Sequence, residues 1–377
     1  MSERPHLAAA RAFIGQPGSR ARIPTPAAVL DLDAFERNVA KMAGRAKAAG
    51  LALRPHAKSH KCSYIAHRQM EAGAVGVCCA KLAEAEAMVA AGIGAILVTS
   101  PIAGQVNAER AAALARRIPD FRIVVDHVDG VAELAATGAD IQVLIDVDPG
   151  MGRTGVSSPE QAAEVARAIA AQPTLTLLGV QCYGGHWQHM EGANARAAAV
   201  ADGMVKLNAT LAAIRATGAK VDVVTGGGTG TFEADAAQGV LTEIQAGSYA
   251  FMDREYRDAL KDDPDGAFEQ ALTVAATVIT TNQPKWVTVD AGLKAFATDG
   301  PLPLPATPKF ASVLYRYFGD EHGLLTRPEG QAVARGERVD FVPGHIDPTL
   351  DRYDVMYLVR GDVLDSVVPL EARGASQ

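Results

Sequence analysis

Three features of the sequence predict an α/β chain made of a (β/α)8 TIM-type barrel followed by an antiparallel β domain. Eight short apolar runs between Leu51 and Ala246 alternate with alanine-rich stretches of helical period, the pattern of parallel strands joined by helical crossovers. Eight strands is the number that closes such a barrel. From about Tyr256 the pattern changes to alternating and β-branched segments separated by Pro- and Gly-rich turns, which reads as antiparallel sheet. The length, 377 residues, suits one large barrel plus a second domain.

Residues 1–25 read as an N-terminal arm, either mobile or forming one short helix. Ala28 to Leu32, within the block 26–32, is an apolar strand that an eight-stranded barrel does not need, so it is expected to join the β domain. Asp33 is expected to cap a helix to about Ala49, with Phe35, Val39, Met42 and Ala46 at helical spacing. The barrel block, 33–255, then carries strands at Leu51 to Leu53, Val75 to Cys79, Ala95 to Thr99, Arg122 to Asp126, Gln142 to Val147, Leu175 to Cys182, Val221 to Thr225 and Glu243 to Ala246. Its helices include Ser63 to Ala72, Ala83 to Ala91, Val131 to Thr137 and Pro159 to Ala171. The block 256–377 carries strands at Leu272 to Thr281, Trp286 to Asp290, Phe310 to Phe318, Arg338 to Val342, Val355 to Arg360 and Val363 to Val368.

Composition narrows the function. A net charge of -7, with the 36 Lys and Arg dispersed, offers no basic footprint for a nucleic-acid partner. No apolar run approaches the ~20 residues of a membrane span, and the first residues hold no continuous signal-peptide core, so no membrane partner is expected. Cys62, Cys78, Cys79 and Cys182 show no CxxC spacing, and the adjacent pair on a strand must face opposite ways. They are read as reduced and buried, which suits a cytoplasmic protein.

Chemistry-bearing residues gather at strand ends. Arg54-Pro55-His56-Ala57-Lys58-Ser59-His60-Lys61 follows the first barrel strand and lies at the barrel mouth, where rigidly framed loops carry catalysis. With Arg54 and Lys61 as cationic neighbours the neutral amine of Lys58 is favoured, and a neutral amine can join an aldehyde as a Schiff base. A solvated basic loop is the bland alternative. Thr225-Gly226-Gly227-Gly228-Thr229-Gly230 and Gly247-Ser248-Tyr249 follow the last two strands, where such barrels bind phosphate through backbone N–H groups and hydroxyls. Lysine and loops are neighbours across the barrel closure, and together they describe a pyridoxal phosphate pocket.

Three further segments complete this reading. Arg153, after the fifth strand, is placed to meet the pyridine nitrogen of the cofactor, with a solvated loop arginine as the alternative. Gln181-Cys182-Tyr183-Gly184-Gly185-His186-Trp187-Gln188-His189 ends the sixth strand and offers histidines and a tyrosine as general base and ring contacts. His345 and Asp347 are two apart, so in an extended segment both would face one way and hold one divalent cation. Imidazole plus carboxylate suits Mn²⁺ first, then Mg²⁺ or Co²⁺.

The segments TPAAVLDLDAFERNV, RPHAKSHK, GVCCAKLAEAEA, TGGGTG, TEIQAGSYAFMD, VDAGLKA, DEHG and PGHIDPT, in this order, resemble the D-threonine aldolase and D-serine dehydratase family. Its members share the alanine racemase-like fold of fold-type III pyridoxal phosphate enzymes, and the resemblance covers nearly the whole chain from Thr25. It implies Lys58 as the Schiff-base lysine, with His56, Gln181 and Tyr183 against the cofactor and Arg153 near its ring nitrogen. Thr225, Gly227, Gly228, Thr229, Gly247, Ser248 and Tyr249 would surround the phosphate. His345 and Asp347 fall on the family's metal ligands; the dehydratase branch typically has a zinc-binding cysteine at the second, so Asp347 resembles the aldolase branch. The segment QCYGGHWQH departs from the aldolase form QAYxGxxQH, which bears on the substrate pocket.

The reaction so implied is cleavage of a D-β-hydroxy-α-amino acid, such as D-threonine, to glycine and an aldehyde. The metal would bind the β-hydroxyl, and His189 or a water on the metal would take its proton. Methyl, phenyl and carboxylate β-substituents all fit the motifs. Alternatives are a D-serine or 3-hydroxy-D-aspartate dehydratase or aldolase of the same family, a racemase, and a non-catalytic pyridoxal phosphate carrier, against which the C-terminal domain argues. The resemblance also implies a homodimer, with Asp320-Glu321-His322 lining the partner's pocket.

Overall fold

The computed structural model describes residues 5–262 and 268–377, so the expectation for residues 1–4 of the arm lies outside the described residues. Strand β1 (Ala27–Asp31) precedes the barrel strands β2 (Ala52–Leu53), β3 (Val77–Cys79), β4 (Ala95–Val98), β5 (Asp120–Val125), β6 (Ile141–Val147), β7 (Leu175–Cys182), β8 (Val223–Gly226) and β9 (Glu243–Ile244). These eight barrel strands form one parallel sheet in chain order from β3 to β9, with β2 beyond β9. The two edges then meet. Val75 N donates to Leu53 O at 2.8 Å, Cys78 N donates to Pro55 O at 2.8 Å, and His56 bridges Cys78 in parallel. The expected (β/α) barrel is therefore formed, and its closing seam sits directly beneath the Lys58 turn.

Side chains alternate across a strand, so the register stacks the barrel interior in layers. In the middle lies a dry plug of Cys78, Leu97, Val124 and Leu144. Cys79 points the other way, into the core between strands and helices, as its neighbour's position requires. Toward the strand N-termini lies a charged layer. Arg54, 1% exposed, gives Nε to Glu243 Oε2 at 3.1 Å and sits 3.5 Å from Asp120, which also holds Arg122 at 2.7 Å. Toward the mouth lies a polar layer in which Gln245 Nε2 donates to Gln181 Oε1 (3.1 Å), and Gln181 Nε2 donates to Thr99 O (2.9 Å) and to Asp146 Oδ1 (2.9 Å).

The helix Leu32–Ala48 buries Phe35, Val39, Met42 and Ala46, as their spacing predicts. Its cap is Asp31 rather than Asp33: Asp31 has extended backbone, and its Oδ1 accepts from Asp33 N (3.0 Å) and Ala34 N (3.1 Å). Asp33 falls in the first turn, where its charge still favours the helix dipole. The sequence expectation that no segment could span a membrane also needs correction. Helix Ala193–Ala216, 24 residues long, is by length and composition apolar enough to cross one. Alanine supplies much of that hydropathy, and Val200, Met204, Leu207, Leu211 and Ile214, spaced by three and four, bury against the barrel.

The second domain adds β10 (Leu272–Thr280), β11 (Trp286–Val289), β12 (Leu304–Pro305), β13 (Tyr315–Tyr317), β14 (Gly323–Thr326), β15 (Arg338–Val342), β16 (Val355–Arg360) and β17 (Val363–Pro369). β1 runs between antiparallel β10 and parallel β16, so the surplus N-terminal strand lies within this sheet. The arm is docked on it. After the helix Pro5–Arg11, the turn Ser19–Arg22 is tied to the β16–β17 hairpin by Leu364 N to Ser19 Oγ (2.7 Å) and Arg20 N to Asp362 O (2.9 Å). Phe310 to Phe318 is a strand only over Tyr315–Tyr317, because Pro308 starts a 3-10 turn through Phe310.

One stability prediction follows from the charged layer. Glu243→Ala strands the Arg54 guanidinium inside the barrel, and breaking such a buried pair costs about 3 kcal/mol or more. The expected result is a clear fall in the urea midpoint of unfolding; an unchanged midpoint would mean that Asp120 alone satisfies Arg54.

Candidate active site

Two adjoining cavities of about 220 and 310 Å³ open at the C-terminal ends of the barrel strands. They share His56, Lys58, Arg153, Tyr183 and Gln245, and so form one cleft. Lys58 lies in the 3-10 turn Ala57–Ser59, and its N–H donates to Nδ1 of the capping His56 at 3.3 Å. His56 Nε2 is in turn 3.0 Å from Thr99 Oγ1, so the imidazole holds the turn from below.

Gly228, Thr229, Gly247 and Ser248 line one end of the cleft. Tyr249 N donates to Thr229 Oγ1 at 3.0 Å, which ties the two phosphate-type loops together. Two glycines of the first loop answer to its scaffold as well. Gly227 has φ +65° and a Cβ there would strike the Asp235 carboxylate, while a Cβ on Gly230 would strike the carbonyl of Gln188. At another wall, the Arg153 guanidinium lies over the Tyr183 ring at 5.6 Å. Its loop is held by Asp148 Oδ1, which accepts from Gly150 N (2.9 Å) and Met151 N (2.7 Å).

His345 and Asp347 reach the cleft from the β domain. The segment is not extended throughout, as the sequence reading assumed. His345 is extended (φ -133°, ψ 126°) but caps a short helix, Ile346–Leu350, with Asp347 in its first turn. Pro348 is compatible with that first turn, where a missing N–H leaves nothing unsatisfied. The turn is clamped to the barrel side by Asp253, whose Oδ2 accepts from Ile346 N (2.9 Å) and Oδ1 from Tyr256 N (3.0 Å). Arg254 N to Pro343 O (3.0 Å) and Glu255 N to Gly344 O (3.2 Å) complete the clamp.

The electrostatics correct one expectation. Lys58 does not sit among cations: Arg54 is turned down into the barrel, and Lys61 gives its ammonium to backbone carbonyls of Lys58 and Asp347. Lys58 Nζ instead lies 3.4 Å from Asp347 Oδ2, and that carboxylate raises the lysine pKa above its ordinary value. Burial works against the Asp347 charge, but Lys58, Lys61 and His345 outweigh it and hold the carboxyl below its ordinary value. His56 is kept neutral by burial and then by the Lys58 charge. Burial, followed by the charge of His345, lowers His189 to about 4. Its Nδ1 lies 3.7 Å from Glu255 Oε2, and its ring meets Tyr256 edge-on at 4.5 Å.

The residues present fit both groups that the sequence reading implied. For pyridoxal phosphate there are hydroxyls and loop backbone at one end, a lysine amine within the same cleft, and an arginine stacked on a tyrosine at its wall. For a cation there is Asp347 Oδ1, buried without a hydrogen-bond partner among the described residues. His345 Nδ1 is engaged by Asp299 Oδ2 at 2.8 Å, an orientation that leaves Nε2 as its ligand atom. Among the described residues no three His, Cys, Asp or Glu converge as a metal cluster, so two protein donors would leave the remaining positions to water and substrate.

Of the sequence-named residues, Lys58, His56, Arg153, Tyr183, Gly228, Thr229, Gly247, Ser248, His189, His345 and Asp347 line the cleft, and Gln181 lines its deeper part. Thr225 and Tyr249 are turned away. Thr225 Oγ1 accepts from Gln245 within the barrel, and the Tyr249 hydroxyl pairs with Gln69 at 3.2 Å. Asp320, Glu321 and His322 are exposed on the β13–β14 turn. Sequence reasoning passed over Gln245, Met151, Tyr256, Asp253 and Asp299. Gln245 alone carried a signal, standing two residues after Glu243 on the same barrel face.

Comparison with known proteins identifies the relatives of the chain. Residues 30–255 match the model of the alanine racemase N-terminal domain, and residues 271–359 match that of a serine dehydratase domain. The chain is 40% identical over 370 residues to a D-threonine aldolase of Arthrobacter sp., covering 96% of each chain. It is 37% identical over 361 residues to a 3-hydroxy-D-aspartate aldolase of Paracoccus denitrificans (strain Pd 1222), covering 93% of this chain and 92% of the relative. The crystal structure of D-threonine aldolase from Filomicrobium marinum superposes with a TM-score of 0.90 at 39% identity, over 95% of this chain and 98% of that one. Both relatives are, by name, carbon-carbon lyases. On two matched domains and homology over almost its full length, the chain belongs to the alanine racemase-like, fold-type III family of pyridoxal phosphate enzymes that includes the D-threonine aldolases and D-serine dehydratases.

Proposed function

We propose that the chain is a pyridoxal phosphate- and divalent metal-dependent aldolase that cleaves D-β-hydroxy-α-amino acids, D-threonine among them, to glycine and an aldehyde. The observation that carries the proposal is the approach of Lys58 Nζ to Asp347 Oδ2, 3.4 Å, which brings a lysine amine and a carboxylate with a second, unpartnered oxygen into one cleft. When bound, the cofactor would supply an electron sink for the pair left on Cα, and the ion, with Mn²⁺ as first expectation, a positive charge for the β-oxygen.

Lys58 would hold the cofactor through its aldehyde, while Thr229, Ser248 and the backbone of Gly228 and Gly247, which line one end of the cleft, would hold the phosphate. Arg153, stacked on Tyr183, would be the residue to meet the cofactor's ring nitrogen. His345 and Asp347 would hold the ion, and Asp299 orients His345. His189 takes the proton of the β-hydroxyl. It can do so because burial keeps its imidazole neutral near pH 7. As that proton leaves, the Cα–Cβ bond breaks, its electron pair passes to Cα, and protonation there yields glycine. The Asp347 carboxylate, in place of a thiolate, favours a hard, oxygen-preferring ion and supports aldol cleavage over hydroxyl elimination.

Offered D-threonine, L-threonine and D-serine with pyridoxal phosphate and Mn²⁺, the enzyme should release glycine and acetaldehyde from D-threonine alone, and EDTA should abolish the release. Keto acid and ammonia would move the chain to the dehydratase branch, and bound cofactor without turnover would make it a carrier. Asp347→Ala should lower kcat/KM by about 10³-fold, the several kcal/mol that a polarising ion contributes to the transition state.

A pH profile tests His189. Its pKa is depressed, so the neutral base persists as pH falls below the ordinary histidine range and is lost only near pH 4. At saturating Mn²⁺, kcat/KM should therefore stay level through pH 6 to 7. A fall centred near 6.5 that disappears in His189→Gln would contradict a buried neutral base, and unchanged turnover in that variant would remove His189 from the reaction.

A further inference from the structure

Lys61 occupies a backbone conformation that side chains rarely adopt. Its φ is +54°, in the left-handed region where glycine or asparagine is usual. The chain nevertheless carries a long cationic side chain there, and that side chain has a defined target. Lys61 Nζ donates to the carbonyl oxygen of Lys58 at 2.5 Å and to that of Asp347 at 3.0 Å. The first lies three residues back, the second 286 residues away in the other domain. The backbone of Lys61 is fixed as well: its N donates to Ala57 O (2.7 Å), and its O accepts from Ala372 N (3.1 Å). Next to it, Ser63 grips Glu371 through N (3.0 Å) and Oγ (2.6 Å).

Two carbonyl dipoles thus converge, negative ends first, on one point. Without a cation between them they repel; with one they are drawn together by charge-assisted hydrogen bonds. The carbonyls belong to the two residues whose side chains meet at 3.4 Å across the domain boundary. Water cannot substitute fully, because a neutral donor binds two carbonyls more weakly than an ammonium does.

We propose that Lys61 is a positioning residue: its ammonium locks the turn bearing Lys58 to the turn bearing Asp347 and so fixes the spacing between the cofactor-linked amine and the metal site. The inference rests on the roles proposed above for Lys58 and Asp347. It explains why a strained position keeps lysine: glycine would relax the backbone but release the two turns.

The test uses full-length protein loaded with pyridoxal phosphate and three variants. Lys61→Met keeps the stem without the charge, Lys61→Gly also relieves the backbone, and Lys61→Arg keeps a cation. Mn²⁺ affinity is read by electron paramagnetic resonance of the free ion, lysine-linked cofactor by visible absorbance, and folding by thermal unfolding. Lys61→Met and Lys61→Gly should weaken Mn²⁺ binding about tenfold, the lower range for an outer-shell partner of a metal ligand, and Lys61→Arg should recover part of it. Lys61→Gly should fold at least as stably as Lys61→Met, which separates positioning from plain stabilisation. Wild-type Mn²⁺ affinity and cofactor linkage in both uncharged variants would overturn the proposal. If the wild type links cofactor but takes up no Mn²⁺, the metal reading of the site falls by itself, and the cofactor signal decides: a lowered share in Lys61→Met supports positioning and an unchanged one overturns it. A wild type that takes up no cofactor overturns both readings.

Discussion

The cleft depends on one constraint above the others: a carboxylate on the β domain must arrive within ion-pairing distance of a lysine on the barrel. Neither residue is local to the other, and each sits on a turn of a few residues that could not hold its shape alone. The chain solves this with hydrogen bonds to the backbone of the turn, added to the burial of Ile346 and Leu350 in the main core. Asp253 takes both Ile346 N and Tyr256 N, and the adjacent N–H groups of Arg254 and Glu255 reach Pro343 and Gly344. Such bonds fix position more sharply than apolar contact does, because they fail beyond a few tenths of an ångström or when misaligned. β1 works toward the same end. It leads directly into the helix Leu32–Ala48 on the barrel while pairing on both sides with strands of the second domain, so the two domains share a continuous element.

Beneath the cleft, the barrel interior changes character by layer. An apolar plug separates an Arg–Glu–Asp layer near the strand N-termini from an amide-rich polar layer under the mouth. The separation has electrostatic consequences. Arg54, sequestered with Glu243 and Asp120, adds little to the field at Lys58, while at the cleft floor the amides of Gln181 and Gln245 link to each other and to the buried Asp146 carboxylate. The charges that act on Lys58 are therefore those at the mouth, above all Asp347.

Much of this was legible because the barrel repeats one physical pattern. Every barrel strand fell within a few residues of its expected range, since a buried parallel strand needs a short apolar run and its crossover helix needs one apolar face. The surplus strand Ala28 to Leu32 could be assigned by counting. What the pattern could not carry was side-chain direction at strand ends. Arg54 and Lys58 are four residues apart in one basic octet, yet one faces the barrel interior and the other the cleft. Charge composition treats them alike; the 3-10 turn Ala57–Ser59, which carries Lys58 off the line of the strand, separates them. Asp31 and Asp33 present the same problem on a smaller scale, because either can cap and only backbone geometry selects one.

His345 and Asp347 share the cleft although the local structure that the sequence suggests for them is not the one they adopt. The sequence argument used a strand, in which residues two apart share a face. The segment instead begins a helix, in which residues two apart normally diverge by about 200°. Convergence is retained because His345 is not within the helix. As the capping residue it keeps extended backbone, and Asp299 fixes its imidazole through Nδ1 while Thr349 Oγ1 closes on its carbonyl at 2.6 Å. Asp347, one position into the helix, turns its carboxylate to Lys58. The cap, rather than the strand, brings imidazole and carboxylate to one cleft. Asp299, 46 residues upstream of His345 and without any motif of its own, is the kind of outer partner that only the folded chain reveals.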